Sequence, residues 1–383
     1  MTILNKQLPV NKADFPSLNN QLMLSSCSQS APPQAVFDGL QAYQETLINQ
    51  GMNWTAWMEK VESAKRKFAE LINADLEEIA VLSTVSDAIS SVINTLPFDS
   101  DDEVVVTELD FPCVGQVLQS LNLRENVPVT FIPETDHTID SKSFEKYITP
   151  KTKLICVPHV SYYNGALQDL ASISRIAKEN GSLLFVDAYQ SAGAVPIDVK
   201  EMGVDILVTG IQKYLMGIPG ITFLYMKKEL SSQLTPAVTG WFGQSNPFAF
   251  DVKGVDYADK TRRFNTGTPS IVNAYAAEQA LDYILEVGIS EIETYLKGLS
   301  SHALTYAKAK GFTVMSPQDV EKKAPTTAIY VENANEVEEK MRAKGIIVSA
   351  RKDVIRVAPH IYNTEDDITL AIDTLAEVVN EQS

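Results

Sequence analysis

Leu183–Tyr225 reads LLFVDAYQSAGAVPIDVKEMGVDILVTGIQKYLMGIPGITFLY. Two short apolar runs stand in it, Leu183–Val186 and Asp205–Val208. Each predicts a buried strand, and each delivers a polar residue at its carboxyl end: Asp187 directly, Lys213 after a short turn. In a parallel α/β sheet, ligands sit just beyond the carboxyl ends of the strands. An Asp and a Lys placed there suit pyridoxal 5'-phosphate (PLP). The carboxylate holds the pyridinium nitrogen, and the amine forms a Schiff base with the aldehyde.

Similar strand signals recur outward from this stretch, at Ile79–Leu82, Glu103–Thr107, Val129–Ile132, Leu154–Val157 and Ile221–Met226. Helical patterns lie between several of them, most clearly Ser86–Leu96, Gly115–Leu121 and Leu170–Asn180. Alternation of this kind predicts an α/β fold: a mostly parallel sheet covered by helices on both faces. The character changes after Pro269. A long helical region is expected over Ile271–Lys310, then strands at Ala328–Glu332, Ile346–Ser349 and Val354–Ala358, with a charged helix at Glu336–Lys344. Thr364-Glu365-Asp366-Asp367 has the form of a capping box. It opens a final helix with Ile368, Ala371, Ile372, Leu375 and Val379 on one face. These features predict a smaller α+β C-terminal domain.

The chain has 383 residues, enough for two lobes with substantial cores. Its net charge of −17 lacks the basic footprint of a nucleic-acid binder. No run approaches the roughly 20 apolar residues of a membrane span, and Met1–Phe15 lacks the pattern of a signal peptide. Cys27, Cys113 and Cys156 form no CxxC pair, which favours a reduced, cytoplasmic protein. The histidines (His137, His159, His302, His360) show no metal-ligand spacing, so no metal site is expected.

Asp187-Ala188-Tyr189-Gln190 and Gln212-Lys213-Tyr214-Leu215, followed by Gly217 and Gly220, resemble the class V aminotransferase group of fold-type-I PLP enzymes. The resemblance runs from about Leu24 to the C-terminus. It implies a large PLP-binding domain over residues 31–269 built on a seven-stranded type of sheet, and a small domain over 270–383. An N-terminal segment, 1–30, packs with the small domain. The active site lies between the lobes and across the interface of a homodimer.

The resemblance also implies roles. Lys213 would hold the cofactor and move the substrate Cα proton. Asp187 would pair with the ring nitrogen, and Gln190 would bond the phenolic oxygen. Leu82-Ser83-Thr84-Val85-Ser86-Asp87-Ala88 is similar to the family's phosphate turn, with Val85 and Ser86 at its donor positions before a helix N-terminus. Phe111 would stack on the ring. Gly240-Trp241-Phe242-Gly243-Gln244 resembles a kynureninase stretch in which the Trp holds phosphate, so Trp241 takes that role. Gln244 replaces the kynureninase His. In Arg262–Pro269 the family pattern assigns Thr268 to the partner subunit's phosphate. Val354–Asn363 is similar to the family's C-terminal signature, with Arg356 forking onto the substrate α-carboxylate. Tyr163, within His159–Gly165, would join Gln244 in binding substrate.

Two departures matter. Many class V members have Ser and His shortly before the lysine; here those positions read Gly210 and Gln212, so the phosphate must lean on other donors. Persulfide-forming desulfurases need a cysteine in the C-terminal half, and this chain has none after Cys156. Cys27 and Cys113 could approach the site, but neither stands where that nucleophile would. The expected function is that of a PLP enzyme acting on a free amino acid, of aminotransferase class V type. A kynureninase-like hydrolase, a C–S or C–C β-lyase and an amino-acid epimerase are alternatives, with a non-catalytic PLP-fold protein behind them.

Overall fold

The computed structural model describes residues 8 and 10–381; the other residues of the expected N-terminal segment lie outside the described residues. Strand β1, Leu22–Met23, precedes two helices, α1 (Gln34–Asn49) and α2 (Trp54–Leu71). The sheet then begins. Strand β2 (Ile79–Leu82) leads into α3 (Val85–Ile93), and β3 (Glu103–Thr107) into α4 (Pro112–Glu125). Next come β4 (Val129–Ile132), α5 (Ser141–Tyr147), β5 (Thr152–Pro158) and α6 (Leu170–Glu179). Strands β6 (Leu183–Asp187), β7 (Ile206–Gly210) and β8 (Thr222–Met226) complete it, followed by α7 (Lys228–Gln233).

These strands form a seven-stranded sheet in the order β2-β8-β7-β6-β5-β3-β4. Pairing is parallel from β7 through β4, and β8 is antiparallel to both of its neighbours. Side chains alternate between two cores, as the two-residue strand period requires. Leu184, Val186, Leu207, Phe223 and Tyr225 share one core with Phe68 of α2 and Ile173 of α6. Phe185, Ile206, Val208, Leu224 and Met226 share the other with Ile89 of α3 and Leu118 of α4. The central strands are buried on both faces, so their sequences are continuous apolar runs rather than alternating ones.

The expected long helix of 271–310 is two helices, α8 (Ile271–Val287) and α9 (Ile289–Ala309). Gly288, at φ +90°, separates them. Helix α8 packs against α1 and α2, two helices that the apolar pattern did not reveal. Beyond them lie β9 (Thr327–Tyr330), α10 (Ala334–Ala343), β10 (Ile346–Ile347), β11 (Ser349–Arg351), β12 (Val354–Val357) and α11 (Glu365–Asn380). The expected strand at 346–349 is thus split. Its first part, β10, pairs in parallel with β1, and β11 joins the antiparallel sheet β11-β12-β9. The capping box forms as expected: Thr364 Oγ1 accepts from the Asp367 N–H, and Asp367 Oδ2 accepts from the Thr364 N–H at 2.9 Å. Among the described residues no helix is long and apolar enough to cross a membrane.

Candidate active site

The carboxyl ends of β5, β6 and β7 open into a cleft of about 410 Å³. Asp187 is the last residue of β6 and is buried. Its Oδ1 accepts the Tyr189 N–H at 2.9 Å. Burial raises the Asp187 carboxyl, with Lys213 and that N–H acting in the opposite direction. A buried carboxylate with one backbone donor retains lone pairs for a cationic ring N–H, which is the group that a PLP ring would present.

Lys213 reaches the same cleft from the loop after β7. Its Nζ lies 4.0 Å from the centroid of the Tyr189 ring and 5.8 Å from that of Phe111. Among the described residues it makes no hydrogen bond or ion pair. Desolvation lowers the amine to about 8, against the raising influence of Asp187, and Arg356 and Arg351 add to the lowering. About a tenth of it is therefore free base at pH 7, far more than of an ordinary lysine, and that is the form that attacks a carbonyl.

The lysine loop is pinned because its carbonyls are buried and need partners. Gln212 O accepts from the Ser30 N–H at 3.1 Å, and Gly217 N–H donates to Ile211 O at 2.8 Å. His360 Nε2 lies 2.9 Å from Tyr214 O, and Tyr214 Oη lies 2.9 Å from Thr326 Oγ1. The C-terminal segment thus fixes the position of the lysine.

Arg356 enters from the central strand β12 and is 1 % exposed. Its Nη1 donates to Tyr162 O at 2.7 Å; its Nη2 donates to Ser349 Oγ at 2.7 Å and Ser28 Oγ at 3.0 Å. These bonds orient the guanidinium in the cleft wall. Val85 and Ser86, in the first turn of α3, also line the cleft, behind the N-cap Thr84. Phe111, Gln190 and Gln212 are there as well. Gln190 Nε2 donates one hydrogen to Cys27 O at 2.9 Å, which leaves its second N–H available.

The structure does not bring the remaining expected residues to this cleft within one chain. Trp241 and Gln244 line a separate cavity of about 770 Å³. Trp241 packs at 5.8 Å from Trp54 and 4.3 Å from Phe242, and Gln244 Oε1 accepts the Asp256 N–H. Thr268 is exposed and lines neither cavity. Tyr163 turns its hydroxyl to Asp353 Oδ1 at 2.8 Å and lines an outer cavity of about 840 Å³. Its neighbour Tyr162 faces the cleft instead, edge-to-face with Phe111 at 5.1 Å; this pair borders both spaces.

The cleft also holds Tyr189 and Arg351, which sequence patterns do not place there, beside Ser28, Cys27 and Cys113. Burial raises the Cys113 thiol to about 11, so it stays protonated. Behind the cleft, His159 is buried with its Nδ1 unpartnered, and burial lowers the imidazole to about 4, so it is neutral. Among the described residues no cluster of three or more His, Cys, Asp or Glu is built to hold a metal.

The class V aminotransferase family model matches residues 23–370. An uncharacterized aminotransferase of Bacillus subtilis (strain 168), YcbU, is 42% identical over 362 residues, 94% of this chain and 95% of the relative. A probable cysteine desulfurase of Methanothermobacter thermautotrophicus is 27% identical, covering 96% of this chain and 97% of its own. Among solved structures, a mutant of C-DES with glycine covalently linked to its PLP cofactor superposes with a TM-score of 0.89. That likeness is at 19% identity, covers 96% of this chain and 99% of the other, and shows the fold. The chain belongs to the class V aminotransferases and has their PLP-dependent, fold-type-I architecture. It is a PLP-dependent enzyme.

Proposed function

We propose that this enzyme transforms a free amino acid in the Lys213 cleft, by chemistry of the aminotransferase type. The observation that carries the reading is the convergence of a buried carboxylate, a desolvated amine and a strand-borne guanidinium on one cleft from β6, the β7 loop and β12. When bound, the cofactor supplies an electron sink conjugated to the substrate Cα. The protein's own groups do the rest. Asp187 keeps the ring nitrogen protonated. Lys213 would hold the cofactor, and its amine would take and return the substrate Cα proton. Arg356 grips the α-carboxylate, Gln190 offers a bond to the phenolic oxygen, and Val85 and Ser86 offer donors to the phosphate. Gln212 stands in the same wall. Phe111 covers the ring and, with Tyr162, keeps water from it.

The same proposal carries a homodimer with shared sites, in the cytoplasm. Trp241, Gln244 and Thr268 lie away from their own chain's cleft, as residues do that serve a partner's. The segment around them exposes Phe250, Val252 and Val255, apolar surface that a second copy would cover. Segments 1–30, 31–269 and 270–383 are the proposed units. Tyr163 would meet substrate only through the outer cavity.

A second reading, cleavage of a carbon–sulfur bond, is favoured by the name of the Methanothermobacter relative. Visible absorption spectra, taken before and after adding amino acids one at a time, decide between them. Conversion of the lysine-bound band to a pyridoxamine spectrum supports transamination. A band that returns, with release of sulfide, pyruvate, alanine or ammonia, supports a lyase or hydrolase. Turnover retained by Lys213→Ala would sink both.

A further inference from the structure

Gly210 ends β7, three residues before Lys213, and Tyr189 follows β6 by two residues. A Cβ built on Gly210 would overlap the Tyr189 ring at Cζ, at Cε2 and at the hydroxyl itself. The phenol therefore fills the volume that a side chain at position 210 would take. In the family pattern a serine stands at this position. This chain has given up that hydroxyl and brings another to the same place from the neighbouring strand.

The Tyr189 hydroxyl has no partner among the described residues. Tyr163, Tyr214 and Tyr362 place their hydroxyls against Asp353, Thr326 and Ser26 respectively. Tyr189 makes no such bond, although its ring is half-buried and lines the cleft. The hydroxyl is not among the fully buried atoms, so it is open to whatever fills the cleft that Tyr189 lines. Helix α3, whose first turn carries Val85 and Ser86, packs against β7, the strand that Gly210 ends. The phenol and that helix N-terminus thus serve one end of the cleft. Burial, reinforced by Asp187, pushes the Tyr189 phenol up to about 12, so it is a donor throughout the working pH range.

We propose that the Tyr189 hydroxyl donates a hydrogen bond to the phosphate of the bound cofactor, replacing the serine that Gly210 displaces. The assignment rests on the reading of Lys213 as the cofactor lysine. It makes Tyr189 and Gly210 a linked pair: a side chain at 210 is compatible only with a smaller residue at 189.

The test is titration of the apoprotein with PLP and, separately, with pyridoxal, which has the aldehyde but no phosphate. Binding is followed by the visible band of the lysine-bound chromophore. Tyr189→Phe keeps the ring and removes one hydrogen bond to a charged group, so PLP affinity should fall about tenfold or more while pyridoxal affinity is unchanged. Tyr189→Ala should lose PLP affinity as well, and the double variant Tyr189→Ala/Gly210→Ser should recover part of it. Equal weakening for both ligands in Tyr189→Phe, or no weakening, overturns the phosphate contact while leaving Lys213 in place. A wild-type protein that forms no band with either ligand overturns the lysine reading and the Tyr189 role with it.

Discussion

Gly193 lies so close to Tyr214 that a Cβ on the glycine would fall on the tyrosine's carbonyl group. Gly193 also has φ +89°, where L-residues are strained. The turn that follows Asp187 and the loop that carries Lys213 are therefore in backbone contact and hold one spacing. Gly193→Ala has to push them apart. It should destabilise the protein by more than about 1 kcal/mol and weaken PLP binding in the fraction that folds. Thermal melts together with PLP titration check this; unchanged cofactor affinity would show that the spacing is not critical.

Arg356→Lys keeps the charge but loses the planar fork. It should weaken amino-acid binding about tenfold or more, with a much smaller effect on PLP. Separate titrations with cofactor and with substrate measure the two. Equal losses would place Arg356 outside the substrate site.

The desolvated Lys213 amine makes a pH prediction. Below about 8 it is protonated and cannot attack; above, it is free base. The rate of covalent PLP capture by apoprotein should climb through about pH 8 and level off above it, whereas an ordinary lysine would still be gaining at about pH 10. Asp187 opposes the shift, so Asp187→Asn should move the midpoint lower. A midpoint near that of an ordinary lysine in stopped-flow capture would refute the desolvated state.

Lys323 offers a stability counterpart away from the cleft. Its Nζ is buried against Ser300 and Thr327, with no ion pair to a carboxylate among the described residues, and burial lowers it to about 7. Between pH 7 and the ordinary value of 10.5 the unfolded chain holds a proton that the folded chain does not, so this group's contribution improves as pH rises across that window. Lys323→Met should therefore raise the melting temperature most at about pH 6 to 7, by about 2 °C or more, with the gain shrinking as the pH approaches the ordinary lysine value. A gain independent of pH would indicate packing rather than charge.

The sheet and its two key residues were legible because buried strands are short apolar runs with abrupt polar ends, and Asp187 and Lys213 sit at such ends. Arg356 was legible through the motif that surrounds it. Helices α1 and α2 were not, because exposed polar residues such as Gln41, Glu45, Glu59 and Arg66 dilute their apolar faces. Of the adjacent Tyr162 and Tyr163, sequence favoured the one that turns away: facing within a turn is set by long-range partners, here Asp353 and Phe111. Tyr189 and Arg351 escaped notice for the same reason. Each reaches the cleft through distant packing, and no local pattern marks that. The gap left by Gly210 was visible as a departure, but its filling by Tyr189 is a relation between two strands.

Leu22 pairs with Ile346, and the Ser26 N–H bonds Ala358 O at 3.1 Å. The stretch that sets Cys27 and Ser28 into the cleft wall is thus held by residues made more than three hundred positions later. On a ribosome emitting roughly 5–20 residues per second, the early segment waits many seconds for its partners while the central sheet is already complete. The cleft wall that carries Cys27 and Ser28 consequently closes only after β10 and Ala358 are made. A nascent chain interrupted before β12 would keep a foldable sheet with Asp187 and Lys213 aboard, yet have no wall to retain what they bind.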